Sequence, residues 1–245
     1  MANAQRICPL DGNIGLLYLD KKGEVIIKTG TVGSGQYCIG SIYKFKNTDG
    51  AIKCKIEEYD SPDDGGDYEV LLYAHYPELV KVRNNDFLLS TSERDSLVLD
   101  SKGRAIEAYR KWDNLAHATH FKLRYLNDTT VIEYSSSPVD ADSNRVMVYE
   151  LDVKFNLKAF SEGDLKKNFY DVELGDIDIF NTTRFNYDKT YSRIINIEML
   201  AADATDKMVL QSTHTFIYQN NRPVKSYVYD VKKKAVVYEQ VYTYK

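Results

Sequence analysis

The sequence predicts an all-β protein in which consecutive antiparallel β-hairpins form one large rolled or spiral sheet. The main observation is a recurring phrase: an apolar strand end, a polar turn containing Gly or Asn, and a second apolar strand. Gly and Asn adopt the positive φ that tight hairpin turns require. A half-barrel and a small propeller are alternative arrangements of the same hairpins. The copies of the phrase turn at Lys22-Gly23, Asp49-Gly50, Lys102-Gly103 and Asn220-Asn221.

The spacing of apolar residues supports this fold class. Ile52, Cys54 and Ile56 alternate with charged residues, which predicts a strand with one buried face. No segment has a long 3.6-residue pattern, and a helical turn is expected only within residues 111–120. Tyr is abundant, with 20 residues against 9 Phe and 1 Trp. Its ring packs well on a pleated sheet while its hydroxyl remains hydrated.

The turn signals divide the chain into elements. Residues 1–15 are predicted to be an irregular N-terminal segment, and residues 16–245 one β-rich domain with a candidate boundary within 135–145. A turn is expected at residues 161–164, and a strand over residues 171–180 with a β-bulge at Gly175. The other predicted strands span residues 16–20, 24–28, 37–46, 51–59, 68–76, 87–90, 97–100, 105–109, 121–126, 129–134, 146–155, 192–200, 207–218, 224–230 and 235–244.

Two segments carry a resemblance to a known repeat family. Residues 100–106 read Asp-Ser-Lys-Gly-Arg-Ala-Ile, and residues 218–224 read Tyr-Gln-Asn-Asn-Arg-Pro-Val, with Tyr-rich strands after the second. These segments resemble the Tyr-Asp repeats of RHS-type proteins, which build extracellular β-shells and carbohydrate-contacting surfaces. The resemblance implies hairpin geometry and export, and it implies no enzymatic activity.

Charge and hydropathy argue against nucleic-acid binding and against a transmembrane helix. With Lys+Arg 32 and Asp+Glu 36, the net charge is −4, and the basic excess of a nucleic-acid-binding protein is absent. No apolar run reaches the roughly 20 residues of a transmembrane helix, so none is predicted. The oligomeric state stays open.

The N-terminal residues and the cysteines bear on the cellular compartment. Ala2 and Ala4 form the small-residue pattern that precedes signal-peptidase cleavage, which favours a periplasmic or secreted protein trimmed before Gln5. An ordinary start of the chain is the alternative. The three cysteines allow one disulfide or three thiols, and their pairing stays open. They are Cys8, Cys38 and Cys54.

The candidate site residues are of two kinds. A cluster of carboxylates is a weak candidate for calcium, although a solvated hairpin tip is the favoured interpretation. Five tyrosines of the last hairpin form either a structural aromatic ladder or a binding surface. The carboxylates are Asp60, Asp63, Asp64 and Asp67, and the tyrosines are Tyr227, Tyr229, Tyr238, Tyr242 and Tyr244.

No catalytic signature such as Gly-x-Ser-x-Gly or His-Glu-x-x-His occurs, and no cofactor is expected. The sequence therefore favours a non-enzymatic, exported binding or assembly module that contacts a protein or a glycan. One alternative is a glycan-active enzyme whose carboxylates leave no sequence signature. A second alternative is a lipid-carrying half-barrel, which would expose an apolar concave face.

Overall fold

The fold is known from a computed structural model, which describes residues 18–20, 22–48, 51–59, 67–73, 87–90, 96–101, 105–111, 118–136, 144–152, 157–190 and 193–245. These ranges contain sixteen β-strands and no α-helix, which confirms the all-β prediction. A 3-10 helix at Leu174–Asp176 precedes the twelfth strand. The strands are β1 (Glu24–Thr31), β2 (Cys38–Thr48), β3 (Ala51–Glu58), β4 (Asp67–Tyr73), β5 (Phe87–Ser90), β6 (Ser96–Leu99), β7 (Ala105–Lys111), β8 (Ala118–Tyr125), β9 (Thr130–Ser136), β10 (Arg145–Leu151), β11 (Leu157–Leu165), β12 (Ile177–Tyr187), β13 (Ile194–Ala202), β14 (Met208–Gln219), β15 (Arg222–Asp230) and β16 (Ala235–Tyr244).

All sixteen strands belong to one antiparallel sheet. Its order is β5-β4-β3-β2-β1-β16-β15-β14-β13-β12-β11-β10-β9-β8-β7-β6, so the sheet is not closed and β5 and β6 are its edges. Apart from β5 and β6, strands that are neighbours in the chain are also neighbours in the sheet, because antiparallel strands need only short connections. The long-range pair is β1 with β16, in which Val25 lies opposite Tyr244.

The sheet is rolled around one apolar core. Val25, Ile56 and Val131 are each 0% exposed and belong to one cluster, although β1, β3 and β9 are far apart in the sheet order. Alternate residues of these strands point to this inner face. The cluster also includes Phe216 and Tyr242, from strands between them. Burial of this face is the main source of stability, at about 25 cal/mol per Å² of apolar surface.

A second cluster covers part of the outer face. Ile132 and Val148 point away from the inner core and are buried by the connection between β11 and β12, through Phe169 and Val172. Arg124 holds this connection in place, because its Nη1 donates a hydrogen bond to the Phe169 carbonyl at 3.0 Å. The outer face of β9 and β10 is therefore part of the folded interior.

The predicted strand at residues 16–20 is wrong over residues 18–20, which are irregular. Leu19 nevertheless enters the core, with 2% exposure. Gly23 has φ +63°, and a Cβ there would lie 2.4 Å from the Lys245 carbonyl oxygen. The glycine therefore allows the last strand to approach, and it does not close a hairpin with a preceding strand.

The predicted turn at residues 161–164 is also wrong, because these residues lie inside β11. A Cβ at Gly163 would lie 2.6 Å from Cγ2 of Ile177 on β12. The glycine is required here for close strand packing.

The predicted strand over residues 171–180 begins only at Ile177. The bulge expected at Gly175 is instead part of the 3-10 helix, where Glu173 N donates to Oδ2 of Asp176 at 3.1 Å. The helical turn expected within residues 111–120 is not found at Lys111, which ends β7, or at residues 118–120, which begin β8. Residues 112–117 lie outside the described ranges.

The cysteines are placed in part. Neither Cys38, which is exposed, nor Cys54, which is buried, forms a disulfide in the described portion of the chain. Cys8 lies outside the described residues. Within those residues, no helix has the length and hydropathy needed to span a membrane.

Candidate binding site

An open cleft of about 490 Å³ lies at the end of the sheet where β14 turns into β15. The turn residues Asn220 and Asn221 have φ angles of 49° and 65°, which confirms the hairpin predicted there. Asn tolerates this conformation because its short polar side chain bonds locally. The volume is typical of a small-ligand site. The cleft is lined by Asp20, Gln219, Asn220, Arg222, Val224 and Tyr244.

Arg222 is held in the cleft by two contacts. Its Nε donates a hydrogen bond to Oδ2 of Asp20 at 2.7 Å, and its guanidinium carbon lies 5.1 Å from the ring centroid of Tyr244. The Tyr244 hydroxyl in turn donates to the Pro223 carbonyl at 2.8 Å. Burial and the nearby Asp20 raise the pKa of Tyr244, so this hydroxyl remains a donor at neutral pH. The guanidinium is therefore held between a carboxylate and a fixed ring.

This arrangement leaves polar atoms directed at solvent. In the described contacts, the terminal nitrogens of Arg222 and the Oδ1 atom of Asp20 have no hydrogen-bond partner in the protein. The two side chains are 42% and 28% exposed. A ligand in the cleft would meet donors and an acceptor side by side, at positions already fixed by the pair.

A second arginine lies on the other side of the same turn. Arg193 donates from Nη2 to Oδ1 of Asn221, and its guanidinium carbon lies 5.6 Å from the Tyr218 ring centroid. The Tyr218 hydroxyl donates to the Ile194 carbonyl at 2.7 Å, which fixes that ring as well. Asp188 Oδ2 is 4.0 Å from Arg193 Nε.

A buried polar network crosses the inner face near the cleft. Ser226 is 0% exposed, and its Oγ lies 2.7 Å from His214 Nε2 and 2.9 Å from the Tyr242 hydroxyl. Gln240 accepts from Tyr242 at 2.9 Å. Burial lowers the pKa of His214 to about 4, so the imidazole is neutral at pH 7. Ser226 and His214 resemble a catalytic pair in type, but a fully buried serine cannot attack a substrate, and the network is structural.

The tyrosines predicted as a binding surface do not form one surface. Tyr242 and Tyr244 lie on the inner face, where Tyr242 is 5% exposed, and only Tyr244 lines the cleft. Tyr238 shares that face at a more open position and is 52% exposed. Tyr227 lies on the opposite face, because its cross-strand partner is Glu239, and Tyr229 follows it on the same face of β15 two positions later. Their role in binding stays a prediction.

The carboxylates predicted for calcium fall mainly outside the described residues, which exclude 60–66. Asp67 is the first residue of β4 and pairs with Glu57. Among the described side chains, no group of three or more His, Cys, Asp or Glu could hold a metal ion.

Sequence reasoning missed Asp20 and Arg222 as site residues. Each stands beside a predicted turn, at Lys22-Gly23 and at Asn220-Asn221, but they are 202 positions apart. Their contact depends on the register of the sheet near β16, for which no local sequence pattern exists.

No family model matches the chain, and no curated protein sequence is significantly similar to it. Among solved structures, a porin-like protein from Bacteroides uniformis ATCC 8492 aligns with 99% of this chain and 100% of its own, at 10% identity and TM-score 0.42. A porin-like protein from Bacteroides vulgatus ATCC 8482 aligns with 90% and 97%, at 10% identity and TM-score 0.40. A LolA superfamily protein from Nitrosomonas europaea aligns with 93% and 87%, at 12% identity and TM-score 0.24. Similarities this distant support no functional argument.

Proposed function

We propose that the protein is a non-enzymatic binding module that holds a glycan in the cleft beside the Asn220-Asn221 turn. The observation that carries the proposal is the Arg222–Asp20 pair fixed on the Tyr244 ring. Sugar hydroxyls both donate and accept hydrogen bonds, so they match a guanidinium and a carboxylate placed side by side. The amides of Gln219 and Asn220 add further donors and acceptors at the cleft wall.

The residues of the cleft favour binding over glycoside hydrolysis. Hydrolysis requires two carboxyl groups facing the scissile bond. Asp20 is the only carboxylate among the described lining residues, and its Oδ2 already accepts from Arg222. A carboxylate that is hydrogen-bonded to an arginine can orient a ligand. It has no second lining carboxylate opposite it among the described residues, as glycoside hydrolysis would require.

The lining also favours a glycan over a lipid. A lipid carrier requires an apolar concave face open to its cargo. The apolar side chains of the inner cluster are instead buried against one another, as Val25 and Ile56 show with 0% exposure. Aromatic residues are enriched at the centres of protein–protein interfaces, whereas the exposed Tyr229 and Tyr238 point to opposite faces of the sheet. Export to the periplasm or outside the cell stays a prediction.

The test is calorimetric titration of the purified protein with glucose, maltose, maltotriose, N-acetylglucosamine and its β-1,4-linked dimer and trimer. Wild type is expected to bind members of at least one series. Arg222→Ala should weaken that binding about tenfold or more, because hydrogen bonds to charged groups contribute about 1.5–3 kcal/mol. Asp20→Asn should also weaken it, since the guanidinium loses its charged partner.

Arg184→Ala is the matched control, because Arg184 is an exposed arginine of β12 outside the cleft. It should bind as wild type does. Melting temperatures of all variants establish that they are folded. Absence of sugar binding by wild type, or wild-type affinity in Arg222→Ala, would contradict the proposed function.

A further inference from the structure

Two Arg–Tyr pairs flank one turn, and they share the same construction. Arg222 lies over Tyr244 at 5.1 Å, and Arg193 lies over Tyr218 at 5.6 Å. In both pairs, the tyrosine hydroxyl donates to a backbone carbonyl, which fixes the ring that supports the guanidinium. Stacking of this kind stabilises the position of a guanidinium.

The two pairs are also similar in charge. Arg222 has Asp20 as its carboxylate partner at 2.7 Å, and Arg193 has Asp188 at 4.0 Å. Each unit is therefore close to neutral as a whole. In the second unit, Oδ1 of Asp188 already accepts hydrogen bonds from the Thr190 amide at 3.1 Å and from the Thr190 hydroxyl at 2.8 Å, so Arg193 is the group that meets a ligand. The side chains remain accessible, with Arg193 36% and Asp188 25% exposed. Such units suit uncharged, hydroxyl-rich ligands better than anions, which would have to compete with the aspartates.

The turn makes the two pairs continuous. Asn220 lines the cleft that contains Arg222, while the next residue, Asn221, accepts a hydrogen bond from Arg193. Because Asn220 and Asn221 are adjacent, the two pairs are joined through one turn.

The spacing sets the size of the ligand. Arg222 begins β15 and Arg193 directly precedes β13, so the two arginines are separated by two strand spacings. With strands about 4.8 Å apart, the backbones of Arg193 and Arg222 are separated by roughly 10 Å. This length exceeds a single pyranose ring and is suited to two linked sugars.

We propose that the site has two subsites, one at each Arg–Tyr pair, so that its ligand is an oligosaccharide of at least two sugar units. The inference rests on the proposed function and adds to it the length of the glycan and a second binding residue, Arg193. Arg222 holds the first sugar in the cleft, and Arg193 holds the next sugar beyond the Asn220-Asn221 turn.

The experiment compares affinities within the two homologous series, glucose to maltotriose and N-acetylglucosamine to its β-1,4-linked trimer. Wild type should bind the disaccharide of the recognised series at least about tenfold more tightly than the monosaccharide. Arg193→Ala, and Arg193→Gln as a second variant, should bind that disaccharide no more tightly than the monosaccharide. Arg184→Ala should retain the full difference between the two sugars.

The outcomes separate this inference from the proposed function. If wild type binds mono- and disaccharide equally, or if Arg193→Ala keeps the tenfold difference, the second subsite does not exist while the cleft remains a glycan site. If no sugar of either series binds, the proposed function fails, and the two-subsite inference fails with it. Binding that disappears in Arg222→Ala and loses its length dependence in Arg193→Ala supports both.

Discussion

Acidification from pH 7 to pH 5 should destabilise the protein through His214. Burial lowers the pKa of His214 to about 4, whereas an unfolded histidine has a pKa of about 6.5. Between these values the unfolded chain binds a proton that the folded chain does not, so stability is full above pH 6.5 and falls as the pH drops towards 4. The difference of about 2.5 pKa units corresponds to about 3 kcal/mol over the whole interval, of which about 2 kcal/mol is lost between pH 7 and pH 5.

The assay is urea denaturation at pH 7 and at pH 5, for wild type and for His214→Gln. Glutamine can keep a hydrogen bond to Ser226, which lies 2.7 Å from Nε2 of His214, but it does not titrate. The interval ends at pH 5 so that protonation of Glu57 does not contribute to the loss. Hydrogen bonds from Lys44 and Lys55 lower the pKa of Glu57 to about 2, so this carboxylate affects stability only at more acidic pH.

Wild type should lose about 2 kcal/mol more than His214→Gln over this interval. The two losses can be compared directly, because any decrease in stability that His214→Gln causes equally at both pH values cancels. Equal losses in the two proteins would show that the pKa of His214 is the same in the folded and unfolded states, and they would refute the reasoning from its burial.

Two pairs of substitutions give further expected outcomes. Ile56→Ala should lower the free energy of unfolding by about 2–5 kcal/mol, because Ile56 is 0% exposed. Ile195 is 43% exposed, so Ile195→Ala should change the free energy of unfolding by less than about 1 kcal/mol. Similar losses in the two variants would count against the assigned core. Gly35→Ala should cost about 1–2 kcal/mol for its φ of +67° alone, and Gly23→Ala should cost clearly more, since its Cβ would also meet the Lys245 carbonyl oxygen at 2.4 Å. Chemical denaturation measures both pairs, and a Gly23→Ala variant as stable as Gly35→Ala would contradict the close approach of the last strand.

The sequence predicted those elements whose structure is decided locally. The strand at residues 235–244 and the Asn220-Asn221 turn agree with the structure, because alternation and positive-φ residues act within a few positions. Predictions failed where a glycine serves a partner distant in the chain. Gly163 resembles a turn residue by composition, but it sits in β11 because β12 packs against it.

The candidate site was less predictable than the fold. Tyr244 was singled out as part of an aromatic strand, but the alternation of a strand does not reveal which face is covered by the rest of the sheet. Asp20 and Arg222 meet only because β16 pairs with β1 and with β15. Charged residues are common in this chain, so charge alone does not distinguish a pair 202 positions apart.

The pairing of β1 with β16 has a consequence for how the chain reaches its native state. The backbone of Lys245 exchanges hydrogen bonds with Glu24 at 2.9 and 3.1 Å, and the two residues are 221 positions apart. The other strand pairs form between chain neighbours and can assemble as the polypeptide leaves the ribosome. Until β16 has been synthesised, β1 presents an unpaired edge that can bind a second nascent chain. Pairing of β16 with β1 is expected to be the slowest step of sheet formation, because it joins the residues that are farthest apart in the chain. The same step removes the unpaired edge of β1 and with it this risk of aggregation.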